Sequence, residues 1–128
     1  MKCFKRKKPL FSEEDLLQRA IVDYLRLSMT KGIVYHINND GETRIKRMRN
    51  ASIGVLSGVA DLHVVWAGGH GYIEVKLPKK TSVQKPSQIE FEKTCKALKV
   101  PYAVCRSLDD VTQFILDNKI PNRISNKR

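Results

Sequence analysis

The chain lacks what would place it in several protein classes. Its 128 residues include only three cysteines, Cys3, Cys95 and Cys105, odd in number and without a CxxC spacing. That excludes a disulfide framework and a zinc site built on cysteine pairs. It reads as reduced thiols in an intracellular protein. The three histidines are scattered, which argues against a histidine-rich metal site. No apolar run approaches the roughly 20 residues of a membrane helix. Residues 1–8 are basic, but no long apolar stretch follows them, so no signal peptide is read. There are no internal repeats and no low-complexity linker. Acidic residues are scarce, with 13 Asp and Glu against 24 Lys and Arg, and the net charge is +11.

What is present supports one folded domain. The hydrophobic content of 41% is enough for a core, and a chain of this length buries roughly two thirds of its unfolded surface. The positive charge is clustered. Lys2, Lys5, Arg6, Lys7 and Lys8 form a basic head, and Arg123, Lys127 and Arg128 end the chain. Arg44, Lys46, Arg47 and Arg49 precede an apolar segment, and Lys76, Lys79, Lys80 and Lys85 follow it. The two middle clusters flank the candidate site derived below and point to a bound polyanion. The two terminal clusters are equally well read as solubilising tails.

Ser12, with Asp15 three residues on, forms a weak capping box. Leu16, Leu17, Ala20, Ile21, Tyr24 and Leu25 then recur at helical spacing, so a helix is expected to run to about Gly32. A short strand over residues 33–37 ends at the turn-prone Asn38-Asn39-Asp40-Gly41. Residues 42–57 read as a polar, basic connection. After the apolar segment, residues 77–82 read as a mobile loop. Pro86 suits the first turn of a second helix, with Gln88, Phe91, Cys95 and Leu98 on its inward stripe. Residues 102–105 read as a buried strand. Ser107 or Asp109 then caps a last helix carrying Val111, Phe114 and Ile115. The order is α-β-β-β-α-β-α, which predicts an α/β fold with a sheet flanked by helices.

The apolar segment carries the chemistry. Asp61 precedes a hydrophobic run over residues 62–67, a Gly68-Gly69 turn, and then Glu74-Val75-Lys76. This pattern predicts a β-hairpin. Centred on Gly68-Gly69, the turn places Trp66 opposite Gly71, His63 opposite Glu74 and Asp61 opposite Lys76. Opposed residues share a face, as do residues two apart on a strand. Asp61, Glu74 and Lys76 therefore share one face, and Leu62, Val64, Ile73 and Val75 the other. Two carboxylates suit a hard cation such as Mg²⁺, which takes oxygen ligands, and a neighbouring lysine can orient water. The plain alternative is a solvated ion pair on a surface hairpin. His63 falls on the acidic face, Trp66 reads as core, and Tyr35 and His36 read as ordinary strand residues.

Taken in order, these segments resemble the PD-(D/E)XK nuclease superfamily, and most of all its virus-type replication-repair nuclease branch, VRR-NUC. The resemblance rests on Glu14-x-x-x-Gln18, on Gly58-x-x-Asp61 and on Glu74-Val75-Lys76. It rests further on Pro86-Ser87-Gln88 with Phe91, and on residues 102–109. It implies a restriction-endonuclease-like core with a mixed central sheet. Asp61 and Glu74 would be metal ligands, with Glu14 and the Val75 carbonyl completing the set. Lys76 would position or activate water, and Gln88 would orient phosphate or water. Glu13 lies nearer the apolar centre of the first helix, but the family spacing to Gln18 selects Glu14. Val59-Ala60 stands where many relatives carry a proline, which is not a ligand.

The resemblance also implies a function. The chain would be a metal-dependent, structure-selective DNA endonuclease using Mg²⁺, with Mn²⁺ able to substitute. Stand-alone relatives look like Holliday-junction resolvases acting as homodimers on branched DNA. The alternatives are a nicking, flap or end-processing nuclease, or a noncatalytic DNA-binding protein on the same scaffold. Arg44, Lys46, Arg47, Arg49, Lys79, Lys80 and Lys85 would bind nucleic acid. The expected organisation is a basic tail over residues 1–11, the nuclease domain over 12–118 and a second basic tail over 119–128. No membrane association is expected. The setting would be the cytoplasm or nucleoid of a bacterium, with a viral origin also in keeping.

Overall fold

Ser12 opens the first helix as its sequence predicts. Its hydroxyl accepts from the Asp15 backbone N–H at 3.1 Å, and Asp15 accepts from the Ser12 N–H at 3.0 Å. This reciprocal pair satisfies two donors that a helix start otherwise leaves open. The structure, a computed structural model, describes residues 9–38 and 43–124. The basic head, the turn residues 39–41, Glu42, Lys127 and Arg128 lie outside the described residues. Helix α1 spans Glu13–Ser28 and ends at Met29, earlier than the expected Gly32. Strand β1 is Gly32–His36, β2 is Leu62–Trp66, β3 is Gly69–Val75 and β4 is Tyr102–Cys105. Helix α3 is Pro86–Ala97, with the proline in its first turn, and α4 is Leu108–Asp117, capped by Ser107 rather than Asp109.

The expected connection over residues 42–57 contains a further helix, α2, Arg44–Ser52. Thr43 caps it by accepting from the Lys46 N–H at 3.0 Å. No residue of α2 is buried, and Ile45 and Met48 alone make too short an apolar pattern to mark a helix in sequence. Ile45 is 80% exposed. The order is therefore α-β-α-β-β-α-β-α.

The sheet is mixed, in the order β1-β2-β3-β4, with β1-β2-β3 antiparallel and β4 parallel to β3. The hairpin register differs from the expected one by two residues. Trp66 pairs with Gly69, His63 with Tyr72 and Leu62 with Ile73. Continuing that register by one residue sets Asp61 level with Glu74. The turn is Ala67-Gly68, and Gly68 takes the positive φ of 97°. Gly69 is glycine for another reason, since a Cβ there would lie 2.9 Å from the Trp66 indole nitrogen. A shift of two conserves every face. Leu62, Val64, Ile73 and Val75 are all fully buried.

Those four residues meet Ile21 and Leu25 of α1, and Val111, Phe114 and Ile115 of α4, in one apolar core. Helix α3 covers the other side of β3 and β4, where Phe91 meets Tyr72 and Tyr102 edge-on. Cys95 is buried there, but Leu98 is 69% exposed. The inward stripe of α3 thus ends one turn earlier than its spacing predicts, because Leu98 is the C-cap. The folded unit runs on past residue 118: Ile120 is buried, Met29 and Asn122 form a β-bridge, and Arg123 N–H donates to the Ser28 carbonyl.

Phe114 closes the core beneath the hairpin, edge-on to Trp66 with ring centroids 6.1 Å apart. It also fills the space left by Gly71, whose added Cβ would sit 3.1 Å from the phenyl ring. Phe114→Ala should therefore cost about 3–5 kcal/mol, read from the urea midpoint. Leu98→Ala should change it by less than about 0.5 kcal/mol, as for other exposed positions.

Candidate active site

The polar face of the hairpin is assembled by strand alternation. Since Ile73 and Val75 point to the core, Glu74 must point the other way, into the space beneath α3. It is 1% exposed. Gln88, in the first turn of α3, donates from Nε2 to Glu74 Oε2 at 2.7 Å, and Lys76 Nζ lies 3.4 Å from the same oxygen. The other oxygen, Oε1, is buried with no hydrogen-bond partner. Asp61 is held from the opposite strand, its Oδ2 accepting from the Val75 N–H at 2.7 Å. Lys76 is itself only 7% exposed.

Gln88 joins the site through Glu74. Its amide is engaged at both ends, because its Oε1 also accepts from the Lys85 N–H at 2.8 Å. It ties the start of α3 to Glu74 and orients that carboxylate. Glu13 and Glu14 separate clearly. Glu13 is exposed and pairs with Lys79 at 2.8 Å, which holds its carboxyl below the ordinary range. Glu14 is half-buried and its pKa is raised, first by burial and then by the charge of Asp61, with Lys76 opposing. Glu14 is thus the residue of α1 that shares the field of the site.

Gln18 and His36 form a brace that sequence reading does not find. Gln18 Nε2 lies 3.1 Å from His36 Nδ1, which lies 2.9 Å from the Asp61 carbonyl. A single ring nitrogen serves one of these bonds at a time, according to its tautomer. The same carbonyl accepts from the Ile37 N–H at 2.8 Å, so β1 fixes the backbone of Asp61. His63 belongs to a separate cluster. Its two ring nitrogens lie 2.6 Å from the Tyr35 hydroxyl and 2.9 Å from His70, and its ring stacks on Tyr72. Tyr35 and His36 are therefore more than ordinary strand residues.

The loop after Lys76 is pinned rather than loose. Arg106 donates to the carbonyls of Leu77 and Ser82 at 2.6 and 2.7 Å, and the Ser82 hydroxyl accepts from the Leu77 N–H. Of the seven basic residues assigned to nucleic acid, Arg47 and Lys85 line a cavity that also includes Asp61 and Gln88. Arg44, Lys46, Arg49, Lys79 and Lys80 are exposed and do not line it.

Burial, followed by the nearby Asp61 charge, pushes the Glu74 pKa up to about 7, against the pull of Lys76. An orphaned carboxylate oxygen beside a second carboxylate is what a hard divalent cation would satisfy, so these donors fit one. Among the described residues, however, no three His, Cys, Asp or Glu side chains converge closely enough to hold an ion. Glu14 shares the site's field but is not gathered with Asp61 and Glu74 into such a group.

The raised pKa has a sign for stability. Glu74 binds its proton more tightly folded than unfolded, so its contribution is full below about pH 4.5 and is lost as pH rises through about 7. Metal-free protein should lose up to about 3 kcal/mol from this group by pH 8. Glu74→Gln should flatten that dependence and raise the melting temperature at pH 8, as measured by calorimetry with chelator present.

No family model matches the sequence, and no curated protein is similar to it. Among solved structures the chain is similar to one described as a VRR_NUC domain protein, with a TM-score of 0.68 and 21% identity over 87% of this chain and 92% of the other. The likeness spans most of both chains and establishes that this chain has the VRR-NUC fold.

Proposed function

We propose that this chain is a metal-dependent, structure-selective DNA endonuclease that hydrolyses phosphodiester bonds. The observation that carries the reading is Glu74, a buried carboxylate with an unpartnered oxygen, set beside Asp61 and Lys76. Gln88 and Lys76 serve only Oε2; a buried carboxylate oxygen left without a partner is costly, and a bound cation would account for it. Asp61, Glu74 and the Val75 carbonyl would hold Mg²⁺ or Mn²⁺, with Glu14 reaching in from α1. When bound, the ion would stabilise charge on the attacked phosphate and lower the pKa of the attacking water. Gln88 fixes the rotamer of Glu74. Lys76, held against Glu74, would orient water.

The finer reading is a Holliday-junction resolvase acting as a homodimer on branched DNA. Resolution needs two symmetric incisions, and a two-fold dimer supplies two sites. Exposed Ile33 and Tyr35 on the sheet, and Leu16 and Leu27 on α1, offer apolar surface for such an interface. The competing reading is a nicking, flap or end-processing nuclease. A noncatalytic DNA-binding role gives no reason to bury Glu74 without a partner for Oε1. The terminal basic segments would add nonspecific attachment.

The deciding experiment uses labelled four-way, flap, single-stranded and duplex DNA with Mg²⁺, Mn²⁺ or EDTA. Cleavage should require metal and be abolished in Asp61→Ala, Glu74→Ala and Lys76→Ala, each still folded by circular dichroism. DNA binding by the carboxylate variants should persist or tighten. Junctions should yield ligatable nicked duplexes by paired cuts, with light scattering giving twice the chain mass. Turnover in EDTA would overturn the reading. A monomer preferring flaps or ends would favour the nicking alternative.

The basic rim gives a second test. Arg47→Gln combined with Lys85→Gln should weaken binding of all sequences alike. The double variant should reduce the salt slope by about 2 units, near 0.9 per phosphate contact. An unchanged slope would make these residues a solubilising face.

A further inference from the structure

Beside the catalytic carboxylates lies a cavity of about 450 Å³ that hydrolysis itself does not require. Asp61 and Gln88 line it together with residues of α2. Its polar lining comes from Arg47 and Asn50 of α2 and from Lys85 and Ser87 at the start of α3. Ala51, Val55 and Val59 add an apolar lining. Small-molecule sites run from about 300 to 1,000 Å³ and combine apolar walls with a few polar groups. This cavity falls in the lower half of that range. It is too small for a base pair and suits one nucleotide.

The cavity is built by a close approach. Gly58 has φ of 83°, and a Cβ there would lie 2.2 Å from the Ser87 carbonyl oxygen. Only glycine lets the loop before Asp61 settle on the start of α3.

We propose that this cavity holds one unpaired nucleotide flanking the scissile phosphate. The inference rests on the nuclease reading and narrows its substrate to DNA that carries an unpaired nucleotide at the cut, as at a flap; a four-way junction, whose arms are fully paired, would first have to open a pair at its branch point. The apolar lining suits the face of a base. The Asn50 amide suits a base edge, and Arg47 and Lys85 suit the adjoining phosphate. A base in a continuous duplex would first have to leave the stack, at a cost of a few kcal/mol. A nucleotide that is already unpaired avoids most of this cost.

The test uses the full chain in EDTA and in Mg²⁺, with 2-aminopurine placed in turn at each nucleotide flanking the branch point of a flap. In EDTA, one position should brighten several-fold on binding, as a base leaving its stack does, while a fully paired duplex should not. In Mg²⁺, Ala51→Trp and Val55→Trp, which fill the cavity, should slow flap cleavage by about tenfold, the scale of one base-stacking contact. An abasic residue at the bright position should restore most of that loss. No bright position, full activity in both variants, or equal impairment on the abasic flap would each overturn the proposal. The fluorescence arm needs no cleavage, so it judges the cavity even if the wild-type protein cuts nothing. Absence of all cleavage by the wild type would instead defeat the nuclease reading.

Discussion

The rest of the site depends on one constraint: a carboxylate placed where a third strand is covered on both faces. Strand β3 lies between the core under α1 and α4 and the layer under α3. A strand buried on both sides ordinarily reads as continuous apolar sequence. Here Ile73 and Val75 obey that rule and Glu74 breaks it. Desolvation of a carboxylate costs several kcal/mol, and removing one partner of such a group is worse than replacing the whole arrangement by apolar residues. Gln88 and Lys76 offset part of the cost at Oε2, while Oε1 has nothing. Stability alone does not favour that arrangement, whereas a bound cation would offset its cost.

The face of each hairpin residue was legible because strand parity is robust. The expected turn at Gly68-Gly69 was displaced by one position, so the register was wrong by two. Asp61, Glu74 and Lys76 nevertheless stayed together, since a two-residue shift conserves alternation. The misreading came from treating two adjacent glycines as one signal. Gly68 serves the turn through its positive φ, and Gly69 makes room for the Trp66 indole. A sequence shows that a glycine is needed, but not whether the backbone or a neighbouring ring needs it.

Helix α2 was illegible for a different reason. Periodicity detects burial rather than helicity, and α2 buries nothing. Its residues form a helix on local terms, with Thr43 capping and a run of Lys, Arg, Met and Ala that helices tolerate well. The brace from Gln18 through His36 to Asp61 was hidden because it joins α1 to β1 and β1 to the start of β2. Arg106 was hidden likewise. It holds a loop more than twenty residues earlier in the chain by two backbone carbonyls, which leave no trace in residue type. Glu14 could be chosen over Glu13 only through family spacing. The helical wheel alone favoured Glu13, because it scores distance from the apolar stripe and not distance from Asp61.

The charge pattern gains its meaning from this geometry. A count of +11 predicts attraction to a polyanion but gives no position. The fold sorts the cations. Lys79 is taken by Glu13 at the start of α1, and Lys76 is turned inward against Glu74. Arg47 and Lys85 come from distant segments to the rim of the cavity beside Asp61. An acidic centre would by itself repel phosphate. Cations beside it oppose that repulsion. Arg47 and Lys85 line the same cavity as Asp61. A phosphate bound by them would therefore sit at a fixed offset from that carboxylate, and the offset, more than the total charge, would decide which bond of a polyanion faced the site.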